Sequence, residues 1–360
     1  MFKSLDLFSG IGGLTKTLEG VAYPLAYCEI MPEAISVLNE NMRKHLLPEA
    51  PICQDIRSLT PKWLHRETRE LPDALVAGFP CVGFSTAGKR EGFNNNQSAL
   101  FFEILRIIDS FDTIKILFLE NVTRILKRDS MDIIINELCR KRKFNLKWTC
   151  LSASEINAPH KRSRWYCIAY KSLDDMVTIP ETFSFNSHDW LREPKIRMIT
   201  QKEKGHSKRH SLLGNSVVPQ AARKAFSFIT SRRVIQKPWY RSHSYPYHGL
   251  ANNNKIYAFD REKTKPRDMG LVLLPNAYRP TAPPSNMLTS GIISKPVHIK
   301  LWATPSAGLI SSINYLTNRL KGSLHNQIRF ERGTKNRNGW VNPEYVEWMM
   351  GYPAGWTKFT

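Results

Sequence analysis

The chain contains no apolar run approaching the roughly 18 residues that cross a bilayer, so no membrane association is expected. Cysteine is sparse: Cys28, Cys53, Cys81, Cys139, Cys150 and Cys167 are scattered, and no two of them form a CxxC pair. That scatter points to neither a zinc site nor a disulfide framework, so no metal is expected and a reducing compartment fits best. The first residues fall at once into a strand-like pattern (Phe2, Leu5, Leu7), which leaves no room for a secretory signal and implies an intracellular protein, in cytoplasm, nucleoid or a host nucleus. No internal repeat is found, and no GxGxxG dinucleotide fingerprint. Acidic residues are scarce beyond the first third. Residues 1–120 carry 12 Lys and Arg against 15 Asp and Glu, whereas the remainder carries 40 against 16.

A net charge of +21 placed so unevenly points to a polyanion, most simply nucleic acid, handled by the last two thirds of the chain. A hydrophobic content of 42% excludes disorder, and 360 residues suffice for one large core or two domains. Strand-like and helix-like segments alternate over residues 1–170. Strands are predicted at 3–8, 24–28, 51–53, 74–77, 114–119, 146–151 and 166–170. Helices are predicted at 32–45, with Ile35, Leu38 and Met42 on one face, at 98–110 with Ser98 as N-cap, and at 130–143 with Ser130 as N-cap. This alternation indicates an α/β fold with a doubly wound, mostly parallel sheet.

After Tyr170 the periodicity weakens, and the basic run 202–210 (KEKGHSKRH) reads as a solvated loop. From residue 233 onward the chain holds 11 of the 22 prolines, and 18 Lys and Arg against 6 Asp and Glu. Tyr245, Tyr247, Tyr257, Tyr278, Trp302 and Trp340 are interspersed there, as is the cluster Arg261, Lys263, Lys265. The expected organisation is an α/β domain (1–170), a short variable segment (171–210), a block followed by an apolar-patterned helix (211–232), and a second, loop-rich basic region (233–360) suited to nucleic-acid recognition. Against that last assignment, Tyr345, Trp348 and Met349 share one helical face and would pack residues 342–356 back onto the α/β domain.

The ends of the predicted strands carry the chemistry. The first runs into Asp6-Leu-Phe8-Ser-Gly10-Ile-Gly12-Gly13, the second ends at Glu29, the third at Asp55, the fourth at Pro80-Cys81 and the fifth at Glu120. In an open α/β sheet ligands bind beyond the carboxyl ends of the strands, so a glycine loop, three carboxylates and a thiol converge on one edge. Cys81, between Pro and Gly punctuation, is placed either as a nucleophile or as one more small buried hydrophobe.

Five blocks occur here in the order typical of DNA (cytosine-5) methyltransferases, a family that residues 1–230 resemble: DLFSGIGG (6–13), GFPCVGFS (78–85), ENV (120–122), Arg162-Ser-Arg164 and GNSVVP (214–219). The resemblance implies a Rossmann-like methyltransferase fold and S-adenosylmethionine as cofactor. The cofactor would be held by Asp6, Phe8, Gly10, Gly12, Gly13, Glu29, Ile30, Asp55, Ile56, Pro80, Asn215 and Ser216, with Glu29 on the ribose hydroxyls and Asp55 on the adenine amino group. It implies that Cys81 adds to C6 of a flipped-out cytosine. Glu120 would protonate N3, Arg164 and Arg162 would hold O2, and Asn121 and Ser85 would complete the catalytic set. Double-stranded DNA is the implied partner, in a monomer paired with a restriction endonuclease. An RNA cytosine-5 methyltransferase and a catalytically silent DNA-binding relative remain alternatives. The chain departs from the family's pattern at Ile30, where relatives often carry an aromatic, and at His160, where they carry Gln. Residues 342–356 (NPEYVEWMMGYPAGW) resemble a segment that some relatives carry before the GNSVVP block.

Overall fold

The structure, a computed structural model, describes residues 1–80, 100–175, 190, 194–201, 203–230, 236–238, 244–252, 255–259, 305 and 340–359. Cys81, Ser85, Ser98, Tyr278, Trp302 and the Arg261, Lys263, Lys265 cluster lie outside the described residues. In chain order the elements are β1 (Phe2–Leu7), α1 (Gly13–Thr17), β2 (Ala22–Cys28), α2 (Pro32–Arg43), β3 (Ile52–Cys53), α3 (Pro61–Thr68), β4 (Ala74–Gly78), α4 (Phe101–Ser110), β5 (Ile116–Val122), α5 (Arg128–Ile135), β6 (Asn145–Ser152) and β7 (Ser163–Tyr170). There follow β8 (Ile199–Thr200), α6 (His206–Asn215), α7 (Pro219–Thr230), β9 (Gln236–Pro238), β10 (His248–Asn252), β11 (Lys255–Phe259), β12 (Trp340–Val341) and α8 (Pro343–Met349).

Ten of these strands form one sheet in the order β3-β2-β1-β4-β5-β7-β6-β10-β11-β9. The first five are parallel to their neighbours, and every pairing from β5–β7 outward is antiparallel. All seven strands expected before residue 171 are present, with ends displaced by up to three residues. The sheet does not stop there, because β10 pairs with β6 and carries β11 and β9 beyond it.

The central strands read as unbroken apolar runs because helices cover both faces. Side chains alternate between two cores. Leu75, Ala77, Leu117 and Leu119 face α4 through Ile104 and Leu105, while Val76, Ile116 and Phe118 face the opposite layer with Leu14, Ala222 and Phe226. The rings of Phe118 and Phe226 meet edge to face at 5.1 Å, fixing α7 against β5.

Three local expectations are corrected. The buried face of α2 is Ala34, Val37, Leu38, Asn41 and Met42, with Ile35 only half-buried, because the helix turns Asn41 towards the carboxyl-terminal segment, where its Nδ2 donates to the Trp356 carbonyl at 3.1 Å. Helix α5 starts at Arg128 without waiting for Ser130, since Lys127, extended at ψ 142°, takes the N-cap place and its carbonyl accepts the Met131 N–H at 3.0 Å; the helix runs on into a π-helical turn, Asn136–Lys141. The run at 202–210 is not a solvated loop throughout: His206–Asn215 is helix α6, with His206 and Arg209 buried.

Arg209 is drawn in by Glu347 of α8, 2.8 Å away, in a pair with almost no solvent access. Glu347 also accepts the backbone N–H of Gly355 at 2.6 Å, the N–H of Thr357 at 2.9 Å and the Thr357 hydroxyl. Tyr345, Trp348 and Met349 of α8 are buried in the same core as Leu14, Leu18 and Phe226. Residues 340–359 therefore belong physically to the body that carries the glycine loop. Glu347→Ala, which strands Arg209 as an unpaired buried charge, is expected to cost about 3–5 kcal/mol in urea unfolding. A loss below ~1 kcal/mol would mean that water reaches the pair.

Candidate active site

The strand order reverses between β1 and β4, and the cleft opens there, beyond the carboxyl ends of β1 to β5. It has a volume of about 690 Å³ and is closed on the far side by the α6–α7 link, through Leu212, Asn215, Ser216 and Val217. Phe8, Gly10, Gly13, Glu29, Ile30, Asp55, Ile56, Pro80, Glu120, Asn121, Arg162 and Arg164 of the expected set also line it.

The glycine loop is a tightly held left-handed turn. Phe8 (φ 54°), Gly10 (φ 54°) and Gly12 (φ 80°) all adopt positive φ. Glu29 fastens it: one carboxylate oxygen accepts the Gly10 N–H at 2.7 Å and the other accepts the Met31 N–H at 2.8 Å. Of the three glycines only Gly10 faces open space, the nearest atom to a Cβ there lying 4.0 Å away. A Cβ on Gly12 would fall 2.5 Å from Leu47 Cδ1, and one on Gly13 would collide with the Tyr352 hydroxyl. Those two glycines answer to protein packing rather than to ligand approach.

Two residues of the expected cofactor set, Asp6 and Gly12, do not line the cleft. Asp6 is buried beneath the loop, where one carboxylate oxygen accepts from the Thr15 hydroxyl and the other has no partner among the described residues. Burial pushes its carboxyl up to about 7, against bonds from Thr15 and Ser9 that pull it down. Asp55 caps a 3₁₀ turn (Ile56–Ser58) by accepting the Arg57 N–H at 3.0 Å, and it pairs with the Arg57 guanidinium at 2.6 Å. Those bonds hold its carboxyl below the ordinary carboxylate range. Ile56 beside it is buried, whereas Ile30 is exposed on the rim.

At the other end of the cleft Glu120, the fifth residue of β5, is buried and paired with Arg164 of β7, Nε to Oε1 at 3.0 Å. The antiparallel β5–β7 register brings this about, since it sets Glu120 opposite Tyr166 and Val122 opposite Arg164. Desolvation raises the Glu120 carboxyl above its usual range, outweighing the pull of Arg164 and Arg162. Asn121 donates through Nδ2 to the Phe79 carbonyl at 3.2 Å and accepts the Val122 N–H at 2.9 Å, so it ties β5 to the Phe79–Pro80 segment that follows β4. Cys81 and Ser85 themselves lie outside the described residues.

Arg162 does something different from Arg164. It is buried, and its guanidinium donates to the carbonyls of Gly214 (2.9 Å), Ser216 (2.5 Å) and Pro305 (3.2 Å). Burial lowers its pKa to about 9. It is the fastening of the GNSVVP turn, and its Nε has no partner among the described residues. His160 is a packing residue: wholly buried, held neutral by desolvation with a pKa lowered to about 3, and bonded through Nε2 to the Met349 carbonyl at 3.1 Å. Tyr352 and Trp356, which were not among the expected residues, stand behind the cleft and bond to two residues that line it, Val217 and Ile11; the signal for them was the block 342–356.

Residues 2–290 match the family model described as C-5 cytosine-specific DNA methylase. The chain belongs to that family. As a DNA (cytosine-5)-methyltransferase it is similar to the type II methyltransferase M.CviJI of Paramecium bursaria Chlorella virus IL3A, with 28% identity over 98% of this chain and 96% of that protein. It is similar to M.MspI of Moraxella sp, 35% identical over 47% of this chain and 38% of that protein, and to M.HhaI of Haemophilus parahaemolyticus, 29% identical over 47% and 49%. The methyltransferase thus matches the viral relative almost end to end, but spans less than half the length of these two bacterial ones.

Proposed function

We propose that this methyltransferase transfers a methyl group from S-adenosylmethionine to C5 of a cytosine extruded from duplex DNA at a specific sequence, through a covalent bond between Cys81 and C6. The observation that carries this reading is the buried Glu120–Arg164 pair, at 3.0 Å, in the same cleft as the strand-end carboxylates Glu29 and Asp55. The cleft fits the cofactor. It is large enough, its glycine loop leaves Gly10 open, and its two carboxylates are acceptors for a ribose diol and an adenine amino group. When bound, S-adenosylmethionine supplies an electrophilic methyl group on a sulfonium centre.

The chain's own residues do the rest. Cys81, as thiolate, forms a bond to C6; the ring electron pair moves towards C5 and N3, making C5 nucleophilic. Glu120, whose carboxyl burial raises above its ordinary range, delivers its proton to N3, and Arg164 offsets charge developing on O2. Asn121 holds the Phe79 carbonyl and so aims the Pro80–Cys81 turn. After methylation C5 loses its proton to a base, the C6–S bond breaks, N3 returns its proton to Glu120, and Cys81 leaves as thiolate. Arg162 is assigned to holding the GNSVVP link. Duplex contacts are assigned to the basic parts of 171–210 and 233–360, and the type II names of the relatives support pairing with a restriction endonuclease.

Incubation of the purified chain with labelled S-adenosylmethionine tests this. Label is expected in duplex DNA, at one short motif mapped by bisulfite sequencing, with DNA affinity falling steeply with salt. Label appearing in tRNA but not in duplex DNA would overturn the reading.

A further inference from the structure

The glycine loop is expensive to hold. Three of its five residues from Phe8 to Gly12 have positive φ, and one of these, Phe8, is not glycine. Such backbone persists only where its surroundings over-determine it. Part of the restraint is local to the amino-terminal strands: Ser9 N–H to the Cys28 carbonyl at 3.0 Å, and Gly10 N–H to Glu29 at 2.7 Å. The rest comes from the opposite end of the chain. The indole Nε1 of Trp356 donates to the Ile11 carbonyl at 3.0 Å, inside the core. The Tyr352 hydroxyl abuts Gly13 so closely that no Cβ fits there, and donates to the Val217 carbonyl at 3.0 Å.

Ile11 and Gly13 belong to one wall of the cleft and Val217 to the other. The two rings, 5.4 Å apart, therefore bridge both walls. They are themselves fixed from three sides. Asn41 of α2 donates to the Trp356 carbonyl, Gln220 of α7 donates to the Gly351 carbonyl at 2.7 Å, and Glu347 accepts the Gly355 N–H. Gly351 and Gly355 supply the positive-φ turns that let so short a segment double back. None of this follows from the order of the sequence blocks, since the segment lies more than 100 residues beyond the GNSVVP turn it touches.

We propose that Tyr352 and Trp356 are positioning residues for the cofactor site: by tying Ile11 and Gly13 to Val217 they fix the distance between the glycine loop and the α6–α7 link. The inference rests on the proposed function, in that the cleft is taken to hold an S-adenosyl compound. It makes the carboxyl-terminal segment a part of cofactor binding as well as of the core.

The test uses the full chain with Trp356→Phe and Tyr352→Phe, which keep the rings and remove only the N–H or the hydroxyl. Binding of S-adenosylhomocysteine is measured by calorimetry, together with the KM for S-adenosylmethionine, the KM for DNA, kcat and Tm. Trp348→Phe, in the same core but away from the loop, is the control. Each of the first two variants is expected to weaken S-adenosylhomocysteine binding about tenfold, the consequence of leaving one buried carbonyl without its donor. The KM for S-adenosylmethionine should rise in parallel, with kcat at saturating cofactor and the KM for DNA within about twofold of the parent. The control should lower Tm and leave both cofactor constants unchanged. Cofactor constants that stay at the parent values in both Phe variants, whatever Tm does, would overturn the inference and leave the proposed function standing. A parent chain that binds no S-adenosyl compound would overturn the proposed function, and this inference with it.

Discussion

Cys81→Ala is expected to reduce methyl transfer to below about 10⁻⁴ of the parent, and to abolish the denaturant-stable adduct that the parent forms with duplex DNA carrying 5-fluorocytosine. Fluorine at C5 cannot leave as a proton does, so an enzyme that has bonded to C6 and methylated C5 stays attached. The adduct therefore reports the nucleophile directly. The structure narrows the field. Pro80, the residue before Cys81, lines the cleft, and Asn121 fixes the carbonyl of Phe79 one residue earlier. The other five cysteines are poor candidates. Burial drives the thiols of Cys150 and Cys167 far above neutrality and that of Cys139 to about 12, and a shared hydrogen bond with Cys53, together with burial, raises Cys28. Cys53, whose thiol that same bond lowers, is buried and does not line the cleft. An adduct surviving in Cys81→Ala would give the role to a different residue. Cofactor binding should stay within about twofold of the parent, which separates lost chemistry from a collapsed site.

The parallel half of the sheet was legible because its strands are short apolar runs bounded by turn residues, and because each ends in a residue with an obvious use. Glu29 and Asp55 follow strand ends, and a strand end in a doubly wound sheet is a binding position by topology alone; Glu120, expected at the end of its strand, lies within β5, which runs two residues further to Val122. The division of labour between Arg162 and Arg164 was not legible. Two residues apart, they look equivalent in sequence, yet Arg162, just before β7, is buried against the GNSVVP turn and Arg164, within β7, meets Glu120. The glycines mislead in a similar way. Composition says that Gly12 and Gly13 permit a close approach, but only the folded chain shows that the approaching groups are Leu47 and Tyr352. Helix α6 was hidden because a run of Lys, Arg and His reads as solvent-facing until Glu347, 138 residues on, pairs with Arg209. Long-range pairs of this kind leave no periodic trace, whereas the Tyr345, Trp348, Met349 face of α8 did, and all three side chains are buried.

Glu120→Gln is expected to lower turnover by roughly 10²–10⁴, the range by which general acid–base catalysis contributes. Glutamine keeps the shape and an acceptor oxygen for the Arg164 Nε, so the β5–β7 pairing around it should persist; what it lacks is a carboxylic proton to give to N3. The environment explains why a glutamate suits this task. Its desolvation on the cleft floor favours the neutral acid, and although Arg164 and Arg162 favour the carboxylate, burial prevails and the carboxyl titrates above its ordinary value. The sign follows. The acid form is the working form, so turnover of the parent should decline as pH rises through that raised value, and Glu120→Gln should lose this limb while remaining slow throughout. Stability moves in the same sense, because a carboxyl whose folded-state pKa is raised contributes most below its unfolded value and loses that contribution as pH rises through the folded one. Parallel measurements of kcat against pH and of S-adenosylhomocysteine binding check the assignment. Turnover at the parent level in Glu120→Gln would remove Glu120 from the proton transfer and leave Arg164 alone to offset the charge on the base. A loss of turnover matched by an equal loss of cofactor affinity would instead make Glu120 a wall of the cofactor cleft.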